Sequence, residues 1–221
     1  MKLALLLPGY LDSPDYLHMR VIENRLNKIG YTTKRIDPCD LWKTGEVDEY
    51  NLTNYLKNIQ DIIDFYKHQN LEEVVLVGHS FGGAVAIIAG SRYQEVLKVI
   101  ALCPAVSFNK SDNKWNENGK RFSKRDLPND PSKFREFNIP MSFVKDRNKY
   151  SISDSLKKLN KPLMVLIAMK DDKVLPEEIE IALKNIHNPC VIKMENMGHN
   201  FRGSIKEVDI VADKIEKFLV N

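Results

Sequence analysis

Apolar residues along the chain gather in two kinds of run. Residues 2–7, 74–77, 98–103 and 162–168 are short blocks with few polar interruptions, and 31–36 alternates loosely; 190–194 completes the set. Blocks of this length read as β-strands, the uninterrupted ones as strands covered on both faces. Between them, apolar residues recur at three- and four-residue steps, the period of one buried helical stripe. Leu52, Tyr55, Leu56, Ile59, Ile62, Ile63 and Tyr66 give the clearest helix. Leu17, Val21, Leu26 and Ile29 mark an earlier one, with Ser13 placed as N-cap, Pro14 at the first helical position and Gly30 at the close. Residues 84–89 continue a strand through a turn into a helix; Ile179, Leu183 and Ile186 mark another, and Val208, Val211, Ile215, Phe218 and Leu219 a C-terminal one. Residues 38–49 show no period and read as loop.

Strands alternating with helices call for a mostly parallel sheet of about six strands with helices on both faces, an α/β fold. The 221 residues suit one domain, 1–221, with an insertion. With the first strand at residue 2, no antiparallel strands are expected before it. Composition is that of a soluble globular protein, 43% hydrophobic and 29% charged. No apolar run approaches the roughly 20 residues of a membrane helix, so stable membrane insertion is not expected. The Leu-rich start resembles a signal peptide, but Pro8-Gly9-Tyr10 ends it early and no small-residue cleavage site follows. Cys39, Cys103 and Cys190 are far apart, odd in number and not spaced for a metal. Reduced thiols in the cytoplasm are the simplest expectation. The net charge of +3 gives no case for nucleic acid.

That charge is unevenly placed. Residues 108–158 carry a net +6 and the remainder −3. The segment also holds Phe108, Trp115, Phe122, Phe134, Phe137, Phe143 and Tyr150 without a long regular period. A stretch this long without clear periodicity is expected to be functional. It reads as a cap over an active site, its aromatics lining a pocket and its basic rim attracting anions; the alternative is a surface excursion whose aromatics anchor it to the core.

The chemistry centres on Gly78-His79-Ser80-Phe81-Gly82-Gly83, between the strand 74–77 and the helix from residue 84. A serine at such a strand-to-helix turn takes a strained backbone, and only very small residues two places before and after avoid a clash. The Phe81 amide then sits at a helix N-terminus, beside any negative charge that develops near Ser80. A serine hydroxyl needs a base to take its proton, and the base needs an acid to orient it. Two later strand ends carry those groups: Asp171-Asp172 after 162–168, and Gly198-His199 after 190–194. The other histidines read as structural or surface groups: His79 with its ring directed into structure, His18 and His68 in helical stretches, and His187 after a helix.

With Ser80, an aspartate and His199 in that order at three strand ends, the chain resembles the α/β-hydrolase family over nearly its whole length. The resemblance implies Ser80 as nucleophile and His199 as base. It leaves two candidates for the acid: a proline four residues on, Pro176, favours Asp172, and a valine three residues on, Val174, favours Asp171. Asp172 is preferred. Leu6-Leu7-Pro8-Gly9-Tyr10 resembles the family's first oxyanion turn, with Pro8 where histidine is common. Backbone amides of Tyr10 and Phe81 are the implied donors, with Leu11 a neighbouring possibility. The implied activity is hydrolysis of small to medium carboxylic esters, small molecules, through an acyl-enzyme on Ser80, with no metal or organic cofactor. Thioesters, short peptides, a lyase or cofactor-free oxidative use of the same triad, and a non-catalytic binding protein keeping the fold stand as alternatives.

Overall fold

The computed structural model describes residues 1–108 and 119–220. Its apolar blocks form β1 (Lys2–Leu7), followed by α1 (Leu17–Lys28), β2 (Tyr31–Arg35), α2 (Leu41–Thr44), α3 (Leu52–Lys67), β3 (Glu73–His79), α4 (Phe81–Gly90) and β4 (Val96–Leu102). Then come β5 (Lys120–Leu127), β6 (Asp130–Pro140), α5 (Met141–Arg147), α6 (Ile152–Lys158), β7 (Leu163–Ala168), α7 (Pro176–Leu183), β8 (Cys190–Met194) and α8 (Ile205–Val220). Six strands make one sheet in the order β2-β1-β3-β4-β7-β8, and every pairing in it is parallel. The uninterrupted runs occupy the four inner places, where both faces are covered. The loosely alternating β2 and the polar β8 take the edges, where fewer side chains need burial.

Successive strand residues face opposite ways, so each strand feeds two cores. Leu3, Leu5, Leu7, Val74 and Leu76 pack with α3, α4 and α7. Ala4, Leu6, Val75 and Val77 pack with α1 and α8 on the other side. All carboxyl ends of a parallel sheet lie along one edge, and the loops there gather the candidate residues.

The insertion has its own order. β5 and β6 form an antiparallel hairpin, and its burial alternates along the strands. Phe137 and Ile139 point inward and, with Phe143, Val144, Ile152 and Leu156 of α5 and α6, join the α3–α4 core. Phe122 and Phe134 point outward, 55% and 52% exposed. Anchoring therefore accounts for Phe137 and Phe143 and not for the outward pair; Trp115 lies outside the described residues.

Two local expectations are corrected. Helix α1 begins at Leu17, because Tyr16 stays extended (φ −62°, ψ 150°) and is buried with its hydroxyl donating to the Asp126 carbonyl at 2.9 Å. The Ser13 hydroxyl accepts the Asp15 amide at 3.1 Å inside a turn and caps no helix. Residues 38–49 are not plain loop: a 3₁₀ turn, Pro38–Asp40, runs into α2. The Asp37 carboxylate accepts the Trp42 and Lys43 amides at 2.9 Å, and Gly45 closes the helix at φ 81°. The Trp42 indole then donates to the Leu11 carbonyl at 3.1 Å, bracing the turn after β1.

Candidate active site

Ser80 sits between β3 and α4 at φ 53°, ψ −116°, a backbone region that non-glycine residues rarely occupy. Its amide donates to the Leu102 carbonyl at 2.8 Å, and its carbonyl accepts the Ala84 and Ala105 amides at 3.1 Å. The two flanking glycines are required by contact. A Cβ on Gly78 would lie 2.1 Å from the Gly82 oxygen, and one on Gly82 would lie 2.1 Å from the Leu7 oxygen. Backbone therefore packs on backbone, and the serine hydroxyl is left facing the open edge of the sheet.

His199 stands against that hydroxyl, with Nε2 2.9 Å from Ser80 Oγ. On its far side Nδ1 lies 2.6 Å from Asp171 Oδ2, which fixes the proton on Nδ1 because a carboxylate only accepts. Both residues are buried. Asp171 Oδ1 also accepts the Lys173 and Val174 amides, each at 2.8 Å. Burial works against the Asp171 charge, but the hydrogen bonds from His199 and the Val174 and Lys173 amides outweigh it and hold the carboxyl below its ordinary value.

The preference for Asp172 is corrected here. Its side chain is 74% exposed and pairs with Lys173 Nζ at 3.0 Å, out on the surface. The turn after β7 puts the first aspartate inward, and Val174, buried, anchors the loop there. The valine spacing points to the inward residue; the proline spacing measures only where α7 begins.

The amides of Tyr10 and Phe81 donate to no protein acceptor among the described residues. Phe81 opens α4, where the first amides have no intrahelical partner. Leu11 is not available: its amide donates to the Tyr50 hydroxyl at 2.9 Å. Tyr10, Ser80, Arg125, Val174 and His199 share the walls of a cleft of about 360 Å³, which the outer edge of the β5–β6 hairpin closes on one side through Lys124, Asp126 and Phe134.

Sequence reasoning missed a polar group behind the site. Asp12 lies 3.3 Å from Arg125 Nε and 3.7 Å from His79 Nδ1. His79 Nε2 donates to the His199 carbonyl at 3.1 Å, so its ring is indeed turned into structure and ties the elbow to the loop of the base. Burial pushes the His79 imidazole down from its ordinary value. Asp126 takes both Nη atoms of Arg202, at 2.7 and 2.9 Å, joining the hairpin to the loop after His199. The only sequence signal for Asp12 is a carboxylate three residues past Gly9, and no spacing rule relates it to Arg125. His18 is fully buried and ring-stacked on His79 edge to face at 5.0 Å; His68 and His187 are exposed and far from this chemistry.

The model of the serine aminopeptidase S33 family matches residues 43–132, a span that contains Ser80 but neither Asp171 nor His199. The chain is 27% identical over 177 residues to the human mitochondrial palmitoyl-protein thioesterase ABHD10, covering 76% of this chain and 56% of that protein. It is 37% identical over 60 residues to a putative esterase/lipase 2 of Mycoplasma pneumoniae, 27% of this chain and 21% of that one. The chain thus spans about half, or less, of the curated relatives it matches. Among solved structures, Est1E from Butyrivibrio proteoclasticus superposes with a TM-score of 0.74 at 18% identity, over 99% of this chain and 87% of that one. With the parallel sheet, the glycine-bracketed serine turn and the serine–aspartate–histidine order already in place, these likenesses show that the chain has the α/β-hydrolase fold.

Proposed function

We propose that the protein is a serine hydrolase of small to medium carboxylic esters, working through an acyl-enzyme on Ser80. The observation that carries this is the continuous relay from Ser80 Oγ through His199 to a buried Asp171 carboxylate. In the first half-reaction His199 Nε2 accepts the hydroxyl proton as Ser80 Oγ attacks the ester carbonyl carbon. Asp171 stabilises the imidazolium that forms, and the Tyr10 and Phe81 amides receive the oxyanion. His199 then gives the proton to the departing alkoxide. Water, deprotonated by the same imidazole, repeats the sequence on the acyl-enzyme and releases the acid.

The cleft sets the expected substrate. About 360 Å³ suits a compact acyl or alcohol group. Its ionised walls are Lys124, Arg125, Lys173 and Arg202 against Asp12 and Asp126, and both carboxylates are already engaged by arginines. This favours esters carrying a carboxylate or phosphate. A thioester is the second reading, on the strength of the thioesterase relative, and it uses the same relay with a better leaving group.

The test is a fluorophosphonate probe followed by p-nitrophenyl ester and acyl-thioester turnover. Labelling that disappears in Ser80→Ala is expected, with ester turnover reduced by at least about 10³-fold. A wild-type protein that takes no label between pH 6 and 9 would sink the assignment. Thioester turnover far above ester turnover would select the second reading.

A further inference from the structure

The turn after β1 is fastened at each carbonyl from Gly9 to Leu11 and at the Leu11 and Asp12 amides. The Asp12 amide donates to the Gly9 carbonyl at 3.1 Å, the Leu11 amide to Tyr50 and the Trp42 indole to the Leu11 carbonyl. The remaining carbonyl, that of Tyr10, accepts Arg125 Nε and Nη2 at 3.2 and 2.7 Å. The same guanidinium lies 3.3 Å from Asp12, whose carboxylate presses on Gly9: a Cβ there would be 2.6 Å from Asp12 Oδ2. The Tyr10 amide is left without a protein acceptor among the described residues, and it belongs to a residue on the wall of the cleft that holds Ser80.

Such a turn does not hold itself. Leu11 stands at φ 58°, in the left-handed region that costs a branched side chain free energy unless its surroundings impose it. Tyr50, Trp42 and Gly9 belong to the body of the domain. From the inserted hairpin, Ser123 bonds the Tyr10 side chain, and Arg125 is the residue that holds the backbone of the turn.

We propose that Arg125 is a positioning residue for the reaction: its forked grip on the Tyr10 carbonyl and on Asp12 sets the turn so that the Tyr10 amide meets the oxyanion. The insertion is then part of the catalytic apparatus as well as a wall of the substrate cleft. Arg125 touches no reacting atom; it acts through Tyr10. The proposal rests on the hydrolase function proposed above. A guanidinium is needed because it presents two parallel donors, Nε and Nη2, to one oxygen and at the same time holds its charge beside the Asp12 carboxylate, whereas lysine is a point donor.

The test uses a small neutral ester, p-nitrophenyl acetate, so that charge on the substrate plays no part. Arg125→Ala is expected to lower kcat about 10- to 100-fold with KM within about threefold, the pattern of an interaction felt in the transition state. Arg125→Lys should fall between the two. Lys133→Ala serves as control: it cuts an ion pair of the same hairpin, to Asp130 at 3.1 Å, away from the cleft and from the turn after β1, and should change kcat less than about twofold. If Arg125→Ala does not fold by circular dichroism, Arg125→Gln carries the same measurement. Unchanged kcat in the Arg125 variant, or an equal loss in Lys133→Ala, overturns the proposal while a wild-type protein labelled at Ser80 keeps the hydrolase assignment. Absence of that label overturns both.

Discussion

A carboxylate serves His199 only if it is withdrawn from water and still ionised, and the loop 168–174 meets both conditions for Asp171. Two amides and the imidazole together supply three hydrogen bonds, enough to offset burial. One residue on, Asp172 is solvated and paired only with an exposed lysine, an arrangement worth little. Asp171→Asn should therefore lower kcat by about 10³- to 10⁴-fold, by removing the charge that holds the imidazole's tautomer. Asp172→Asn should stay within about twofold of wild type in the same ester assay. Equal losses would mean that the loop rearranges when substrate binds. Residue types at strand ends made Ser80 and His199 legible from the chain alone: Gly78 and Gly82 leave the close approach of backbone that the serine turn needs, and His199 follows a glycine in a strand-end loop. Choosing between adjacent aspartates needed the direction of one side chain. The amides of Lys173 and Val174 decide that direction, and a spacing to Pro176 does not report it.

At the level of elements, the hairpin is where periodicity failed, and the reason is physical. An ordinary half-buried strand alternates because its inner face meets an apolar core. The inner face of β5 carries Arg121, Ser123 and Arg125, and it meets Tyr10 and Asp12 instead of a core. Only toward the end of β6, where Phe137 and Ile139 reach the α3–α4 layer, does burial become apolar. The excess of basic residues in 108–158 was legible as composition, and the structure adds where part of it lies. Lys124 leans over the outward Phe134 ring, 4.9 Å from its centre, on the rim of the cleft. A p-nitrophenyl ester with a terminal carboxylate should have a higher kcat/KM than its neutral isostere at about 10 mM salt. The gap should narrow toward 0.5 M, as the screening length contracts from about 30 Å to a few ångströms. Lys124→Gln should shrink the gap at low salt without changing turnover of the neutral ester. A gap that ignores salt would place the preference in shape and not in charge.

For the molecule as a whole, the sheet was legible because its inner strands are uninterrupted apolar runs, a pattern that tolerates few other folds. What tied the carboxyl edge together was not legible, since Asp12, His79, Arg125 and Arg202 are brought near one another only by the assembled loops. That group makes folding sensitive to acid in a way that can be isolated. Burial opposes the Asp12 charge, but the neighbouring His79 ring and the charges of Arg125 and Arg202 prevail, bringing its pKa from 3.8 down to about 2. A depressed carboxyl stabilises the fold fully above its unfolded value, and the contribution fades as pH falls from about 4 toward 2. A shift of that size corresponds to about 2 kcal/mol. Asp171 and Asp126 are also held below their ordinary values, so the wild-type protein loses stability in acid for several reasons at once. Those groups remain in Asp12→Asn. Subtracting the urea-unfolding free energies of the two proteins, pH by pH, therefore leaves the share of Asp12. The difference should be flat above pH 5 and shrink by about 2 kcal/mol between pH 4 and 2. A difference that does not change with pH would mean that Asp12 is no more easily ionised in the folded protein than in the unfolded chain, and that the grip of Arg125 on the turn after β1 depends on the Tyr10 carbonyl alone.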